Sequence, residues 1–447
     1  MNAQAVEPFI DYRTAVLIVI ANMIGTGVFT TLGVQAQGVP DGAALLLLWA
    51  VGGLVALCGA LSYAELAAAL PRSGGEYHFL SRIYHPVLGQ LAGWVSVTVG
   101  FSAPVALAAM ALGRYAAPFL PAGPMPIAIV TLLLVTALHA FDVGVGRAFQ
   151  IGATLLKILV IALFCMAGLA QEPIPGSLSL APSGESLAAI LSMPFALSLI
   201  YVSYAYSGWN AAAYVAGEVR QPQRTVPRAL IHGTIAVTVL YLVLNLVFLR
   251  TIGLADLVGT IEVGAVSARN IFGPGGGALL NLALSLLLLS TISAMVLAGP
   301  RVLQSIGADV PAVRFLAVRN RRGAPTRAVL LQQGLALGFI LTDSFAGVLT
   351  FAGFTLTLFA LLTVLGVLRL RRREPDLVRP YRVPLYPLPP VLFALVSGAS
   401  LFGVAWEQPG AVAAGTLSLA LGAWLLAAHA RGRGRSGSAP GADGGKG

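Results

Sequence analysis

Long apolar runs alternate with short polar segments along almost the whole chain. Each run is about 18–28 residues long, which is enough for a helix to cross a hydrocarbon core of about 30 Å. The short alternating segments of a membrane β-barrel do not occur in the sequence. The runs lie at residues 14–37, 42–70, 87–112, 124–140, 148–169, 188–214, 228–250, 276–300, 326–342, 346–369, 389–405 and 411–429. The pattern therefore predicts an all-α polytopic membrane protein with twelve transmembrane helices.

The basic residues give this helical chain an orientation. The sequence has 27 Lys and Arg residues and a net charge of +10; 23 of the 27 fall on the side that holds both termini, against 3 on the opposite side. This is the positive-inside asymmetry, so both termini are predicted to be cytoplasmic in a multi-pass protein of the inner (cytoplasmic) membrane. Topology explains the positive charge, so no nucleic-acid partner is expected. Membrane lipid is the expected surrounding of the chain.

The same pattern divides the chain into three parts. Residues 1–13 are the predicted cytoplasmic N-terminus, and residues 14–430 form the predicted transmembrane domain. Residues 431–447 are rich in Gly, Ser and Arg, and such a low-complexity tail is expected to be disordered in the cytoplasm.

Two of the predicted helices are interrupted near mid-membrane. Gly25-Thr26-Gly27 lies within the first run and Ser207-Gly208 lies within the sixth. Each break falls in the first run of a group of five, which predicts an inverted repeat. The two repeats and the accessory helices are expected at about 14–170, about 188–370 and about 389–430. Close helix packing at the glycines is the alternative interpretation of a single break.

Interrupted helices have a specific chemistry. One half begins with free N–H groups and the other ends with free C=O groups, which attract an anion and a cation respectively. An amino acid carries both charges, so two breaks can bind it without an ionised side chain. No Asp or Glu lies in the middle of a predicted span, and Glu65, near the inner end of the second, is assigned a structural role. We therefore expect a secondary active transporter of amino acids, which are predicted to be neutral.

Four stretches of the sequence resemble the amino acid–polyamine–organocation superfamily, and in particular the L-type amino acid transporters and their bacterial relatives. The stretches are MIGTGVF (23–29), YAELAAALPRSGGEYHFLSRIYHPVLGQLAGW (63–94), YAYSGWNAAAYVAGEVRQPQRTVPRAL (204–230) and LRRREPDLVRPYRVPLYPLPP (370–390). The resemblance implies the 5+5 inverted-repeat fold of the leucine-transporter type, with discontinuous helices 1 and 6.

The resemblance also implies the residues of the site. The predicted substrate-binding residues are Ile24, Gly25, Thr26, Gly27, Tyr204, Ala205, Ser207 and Gly208. Those of the first break would meet the carboxylate and the amino group, and backbone carbonyls at the second break would meet the ammonium. Tyr204 and Trp209 are the predicted gate, with plain packing as the alternative for these aromatics and for Tyr206. Further candidates are Asn210, which would hold the unwound backbone, and Ser96, Val99 and Gly100 of the third span.

The cysteines argue against a covalently linked partner. Eukaryotic light chains of this group bond a heavy chain through a cysteine in the outer loop after span 3, but residues 116–126 contain none. Cys58 and Cys165 both lie within apolar runs, where a small buried residue is expected. A disulfide-linked heavy chain is therefore not predicted.

Lys157 lies within the fifth apolar run. The chain has 25 Arg and only two Lys, and the other Lys is in the tail. An arginine keeps its proton, whereas a lysine removed from water can release it, so a lysine here suggests a function. The resemblance places it where sodium-coupled relatives bind Na⁺, between spans 1, 5 and 8. Its predicted partners are carbonyls of span 1 and the hydroxyls of Ser290, Thr291 and Ser293.

This placement predicts a sodium-independent carrier. It would be a proton symporter if Lys157 releases its proton and an exchanger if the charge stays. Snorkelling of the lysine to an interface is the structural alternative.

Other classes of protein fit the sequence less well. The chain has no phosphate-binding loop, and its five histidines are scattered, so neither a pump nor an enzyme is predicted, and no cofactor or metal is implied. Two alternatives to amino acid transport stay open. One is a polyamine or organic-cation carrier, which would need an acidic residue in the pocket. The other is a non-transporting amino acid sensor on the same fold.

Overall fold

The structure is a computed structural model that describes residues 10–141, 147–309, 311–320 and 323–436. Within them the chain is helical, and its only β-contacts are two isolated bridges, Ile10 with Val219 and Ser177 with Gly253. The α-helices are α1 Tyr12–Met23, α2 Gly27–Thr30, α3 Leu32–Gly38, α4 Gly42–Ala69, α5 Glu76–Ile83, α6 Pro86–Val95, α7 Ser102–Ala116, α8 Pro124–Phe141, α9 Arg147–Leu169, α10 Gly184–Ile190, α11 Met193–Ala205, α12 Ala211–Tyr214, α13 Pro222–Thr251, α14 Leu254–Leu257, α15 Val263–Asp309, α16 Thr326–Leu341, α17 Phe345–Arg373, α18 Leu388–Glu407 and α19 Pro409–Ser436. A π-helix spans Ser96–Phe101, and 3₁₀ turns span Ala117–Phe119, Ala216–Glu218 and Pro311–Ala317.

Length and composition identify the helices that can cross a membrane. Among the described residues eight qualify, or nine if the bent pair α10 and α11 counts as one span. Three shorter apolar helices, Pro124–Ala140, Thr326–Leu341 and Pro409–Leu425, coincide with the predicted spans 4, 9 and 12. The chain is thus an all-helical polytopic membrane protein, while the number twelve stays a prediction.

Several boundaries differ from those predicted. The predicted span 188–214 is not one helix, because α10 and α11 meet at 67° and α11 ends before the break. Ser192 caps α11 by accepting from the Phe195 amide, and Pro194 follows at its start. The predicted span 276–300 lies inside the longer α15, which bends where Gly273 takes φ 75° ahead of Pro274.

Segment ends were predicted less accurately than segment cores. Helix α19 continues to Ser436, six residues past the boundary predicted at 430. The rest of the predicted tail, 437–447, and residues 1–9 of the predicted N-terminus lie outside the described residues. Asp11 caps α1 by accepting from the Thr14 amide at 2.9 Å, and its hydrogen bonds with Thr14 hold the pKa of this carboxyl below its usual value.

Glu65 has the structural role expected of it. Its carboxylate forms a bidentate ion pair with Arg371 at the end of α17, with nitrogen–oxygen distances of 2.8 and 2.6 Å. It also accepts from the Val383 amide at 2.7 Å and lies 3.4 Å from Arg379. Because these partners belong to α17 and to the segment after it, Glu65 fixes α4 to the connection that leads into α18.

Candidate functional site

A cavity of about 300 Å³ lies between the two interrupted helices. It extends to the end of the bundle where α1 begins, since Ser73 and Glu218 line it there and Ile10 pairs with residue 218. We call this end the N-terminal face. At the opposite end the chain is tightly packed: a Cβ on Gly33 would lie 2.1 Å from the Thr260 carbonyl oxygen. The cavity therefore reaches the N-terminal face.

The two breaks cross each other at glycines. A Cβ on Gly27 would lie 2.5 Å from Cα of Ala205, and one on Gly208 would lie 2.6 Å from the carbonyl oxygen of Asn22. Gly208 also has φ 98°, a conformation that residues with a side chain rarely adopt. Both glycines line the cavity, but close approach of two backbones is enough to require them. Close packing thus accounts for both glycines, and their role in binding stays a prediction.

The crossing brings the helix halves together in pairs. Helix α1 packs against α12, and α2 packs against α11. The half before the first break thus meets the half after the second, so the two interrupted helices run in opposite directions.

The first break presents backbone N–H groups to the cavity. Helix α1 ends at Met23, and Gly25 turns back to donate to the Met23 carbonyl at 2.8 Å. The amides of Thr26 and Gly27 have no backbone acceptor among the described residues, and both residues line the cavity. A Cβ on Gly25 would meet only Cγ2 of Thr291, at 3.9 Å, so Gly25 borders open space. This end of the site suits an anionic group.

The second break presents carbonyl groups, two of which already have a donor. The Tyr204 carbonyl accepts from the Ser207 amide at 2.9 Å, and the Ala205 carbonyl lies 3.3 Å from the hydroxyl of Tyr241. No described backbone hydrogen bond ends on the Ser207 carbonyl. A carbonyl oxygen can accept twice, so all three remain able to bind a cation, and Ser207 has the least competition.

Tyr241 of α13 is a site residue that the sequence analysis missed. Its hydroxyl lies 2.6 Å from the Met23 carbonyl and 3.3 Å from that of Ala205, the last residues of α1 and α11. One buried side chain thus contacts the carbonyl end of the helix half before each break. A tyrosine inside an apolar run has no pattern that distinguishes this role from ordinary packing.

Lys157 lies beside the first break and is buried. Its Nζ donates to the Ile24 carbonyl and to Oγ1 of Thr291, both at 2.9 Å. Thr291 in turn donates to the Leu287 carbonyl at 3.1 Å. A small void of about 10 Å³, lined in part by Gly25, adjoins the ammonium. The side chain thus connects α9 to the first break and to α15.

Only one of the three predicted hydroxyl partners contacts the lysine. Oγ of Ser290 is buried and has no hydrogen-bond partner among the described residues, and Ser293 contacts Nε2 of His139 at 2.9 Å. The predictions that Ser290 and Ser293 contact Lys157 are therefore wrong. Successive residues on a helix are about 100° apart, so neighbouring side chains cannot all face one point.

The aromatic residues of the second break differ in their surroundings. Tyr204 is buried and lines the cavity. Trp209 also lines it, but its ring packs edge-on against Tyr63 at 4.7 Å and lies 6.2 Å from Phe393. The Tyr206 hydroxyl is 3.1 Å from the Trp49 carbonyl. Packing thus accounts for Trp209 and Tyr206. Tyr204, whose side chain hydrogen-bonds to Thr26, stays the candidate for a gate.

A buried carboxylate lines the cavity where none was expected. Glu76, the first residue of α5, accepts from Tyr63 at 2.7 Å, from Asn210 at 2.6 Å and from the hydroxyl of Tyr214. The Asn210 side chain therefore donates to Glu76. The prediction that it holds the unwound backbone is wrong. The sequence places Glu76 between two apolar runs, so it was missed; Gly74 and Gly75, both with positive φ, return the chain into the bundle.

Of the span 3 candidates, Ser96 and Gly100 line the cavity. Val99 is fully buried and is absent from the described cavity wall. All three belong to the π-helix Ser96–Phe101.

A bundle of apolar helices with two oppositely directed, interrupted helices around one cavity is the architecture of secondary membrane transporters. The chain belongs to the amino acid permease family, whose model matches residues 10–421. Members of this family are transporters, so the chain is not an enzyme.

Relatives cover most of this chain. The serine/threonine exchanger SteT of Bacillus subtilis (strain 168) is 28% identical over 386 residues, which cover 85% of this chain and 86% of the relative. The cystine/glutamate transporter of Homo sapiens is 29% identical over 401 residues, 87% of this chain and 78% of the relative. The large neutral amino acids transporter small subunit 2 of Mus musculus is 28% identical over 424 residues, 91% and 78% respectively. The chain is similar to transporters and exchangers of amino acids.

Proposed function

We propose that this protein is a secondary active transporter that moves a neutral amino acid across the cytoplasmic membrane by alternating access, without sodium. The observation that carries the proposal is the pair of breaks at one cavity. At one break lie the amides of Thr26 and Gly27, which have no backbone acceptor within the described part of the chain, and the carbonyls of Ala205 and Ser207 lie at the other. An α-carboxylate and an α-ammonium would complete these two sets of backbone groups.

The cavity surroundings support a neutral side chain. Glu76 is a buried acid on the wall, but its carboxylate already accepts three hydrogen bonds from the protein. Protein donors thus occupy three of about four acceptor positions of this carboxylate, so Glu76 gives the organic-cation alternative little support. Two of the relatives are named for serine/threonine exchange and for large neutral amino acids.

Lys157 supports sodium independence. Its ammonium takes one backbone carbonyl, that of Ile24, and one hydroxyl, that of Thr291. Oxygen atoms of this kind are the ligands that a hard cation prefers. We propose that the lysine charge replaces a coupling sodium ion. An exchanger follows if the charge is permanent, and a proton symporter follows if Lys157 titrates. The name of the Bacillus subtilis relative, a serine/threonine exchanger, agrees with exchange.

The architecture that we propose is twelve spans in a 5+5 inverted repeat, with α18 and α19 as accessory helices and both termini cytoplasmic. With that orientation the cavity faces the cytoplasm. Cys58 and Cys165 are buried and unpaired, which supports a chain that works without a disulfide-linked heavy chain.

Counterflow in liposomes tests the proposal. Purified protein would be reconstituted into vesicles loaded with one neutral amino acid, and uptake of the same labelled amino acid would be measured with Na⁺ or with choline outside. We expect equal uptake in both solutions. Strict dependence on Na⁺ would contradict the role of Lys157. Binding of an amino acid without flux would favour the sensor, and uptake of polyamines alone would favour the organic-cation carrier.

A further inference from the structure

A buried amide lies behind the cavity on a helix that takes no part in its wall. Gln332 of α16 is fully buried, and its Nε2 donates to the carbonyls of Phe101 and Met295, at 3.3 and 3.2 Å. Both amide hydrogens are therefore used. Phe101 and Met295 line the cavity, whereas none of the described residues of α16 does. The amide thus joins two walls of the cavity, the third span and α15, from their outer side.

The wall at Phe101 is an irregular one. Phe101 is the last residue of the π-helix, and Pro104 follows within the next turn. Proline has no N–H and its ring clashes with the carbonyl four residues earlier, so the normal helical bonding is interrupted there. A wall with a wider and less regularly bonded turn depends more on outside contacts for its position.

The rest of the Gln332 side chain gives no stabilising reason for an amide. Its Oε1 has no partner among the described residues and lies against Gly299, where a Cβ would be 2.6 Å away. A buried amide oxygen without a donor is unfavourable, and an apolar side chain of the same length would avoid that penalty. The contribution of the amide therefore lies in its two donated hydrogen bonds.

We propose that Gln332 is a positioning residue for substrate selection, which holds the carbonyls of Phe101 and Met295 together and so limits the width of the cavity. Without the amide, the third span relaxes away from α15 and larger substrate side chains fit. The Phe101 ring also lies 6.4 Å from that of Tyr214, which binds Glu76, so a shift of this wall reaches the second break. This inference rests on the proposed transport of amino acids.

The neighbouring glutamine provides a matched control. Gln333 is also buried, but neither of its amide atoms has a hydrogen-bond partner among the described residues. Gln332→Met removes the two donors while keeping an unbranched side chain of similar length. Gln333→Met makes the same chemical change one residue away without removing a bond.

The test compares Michaelis constants for a series of neutral amino acids from glycine to tryptophan, using the full chain in liposomes. We divide the KM of a large substrate by the KM of a small one. For Gln332→Met we expect this ratio to fall about fivefold, a change of the size that weak hydrogen bonds produce. Vmax should stay within about twofold of that of the unsubstituted protein. Gln333→Met should leave the ratio unchanged. An unchanged ratio in Gln332→Met, or an equal change in both variants, would overturn the proposal.

A second variant covers the case in which Gln332→Met does not fold. Gly299→Ala pushes the amide from its position by the 2.6 Å contact with Oε1, and it should shift selectivity in the same direction. An unchanged ratio in folded Gly299→Ala would then overturn the inference. If the unsubstituted protein transports no amino acid, the proposed function fails and the inference fails with it; normal transport with unchanged selectivity in the variants refutes the inference alone.

Discussion

Two glycines of the first break, two residues apart, should respond in opposite ways to the same substitution. Gly27→Ala places a Cβ 2.5 Å from Cα and 2.7 Å from Cβ of Ala205. Carbon atoms in contact prefer about 3.5–4.0 Å, so the crossing helices must separate by about 1 Å. Overpacking of this kind costs about 1–3 kcal/mol. We expect Gly27→Ala to lower the melting temperature clearly and to lose transport together with stability.

Gly25→Ala should keep the fold and bind the substrate more weakly. Its added Cβ meets only Thr291, at 3.9 Å, which is ordinary contact, and Gly25 is not among the glycines with positive φ. Replacing such a glycine stabilises a protein by about 0.4–1 kcal/mol through the unfolded chain. The methyl group nevertheless occupies space at the proposed carboxylate end, so KM should rise about tenfold, which corresponds to about 1.4 kcal/mol of binding.

Thermal unfolding in detergent and initial uptake rates in liposomes measure these two effects separately. The expected pattern is a destabilised Gly27→Ala beside a stable Gly25→Ala with raised KM. Equal melting temperatures for the two variants, or a Gly25→Ala protein with unchanged KM, would refute the assignment of Gly27 to helix crossing and of Gly25 to the site.

Three further substitutions test other contacts. Lys157→Ala removes the donor from the Ile24 carbonyl, and transport should fall at least about tenfold. The free energy of unfolding should change by less than about 2 kcal/mol, because a buried charge is removed along with its bonds. Retained sodium-free uptake would contradict this prediction. Tyr241→Phe leaves the Met23 carbonyl without its hydroxyl and should cost about 1–3 kcal/mol of stability in a thermal melt; an unchanged melting temperature would show that the contact is not structural. Glu76→Gln places an amide opposite protein donors and should lower the melting temperature. Competition by cationic amino acids for uptake should not change. A gain or loss of that competition would mean that the Glu76 carboxylate faces the substrate.

The breaks were predictable from the sequence because Gly25-Thr26-Gly27 and Ser207-Gly208 fall in corresponding runs of two groups of five. A glycine pair alone does not interrupt a helix, since Gly52-Gly53 lies inside the continuous α4. Lys157 was predictable because it is a single charge inside a long apolar run. The crossing of the two breaks and the contact of Lys157 with Ile24 follow from the three-dimensional path of the chain, which the family resemblance supplied and the apolar pattern did not. Helix bends at Gly273 and before Met193 were not predicted, because glycine and proline also occur in straight membrane helices.

Residues that support the site from behind could not be found in this way. Tyr241 and Gln332 act through the direction in which one side chain points from a buried helix, and a run that is apolar all round carries no periodicity to indicate that direction. Glu76 was missed because the search for acids covered only the middle of each span, while α5 turns back into the bundle from a polar segment. Ser290 was assigned wrongly because the sequence also does not indicate side-chain direction on α15. Adjacent positions on that helix face different neighbours.

In the proposed transporter the backbone of the two breaks binds both charges of an amino acid. Three matched compounds can compete for uptake and so test this binding: a transported amino acid, the amine that lacks its carboxylate and the acid that lacks its amino group. We expect that only the complete amino acid inhibits uptake of the labelled substrate in sodium-free liposomes. Inhibition by the amine as strong as that by the amino acid would contradict it, because the amides of Thr26 and Gly27 would then have no part in binding.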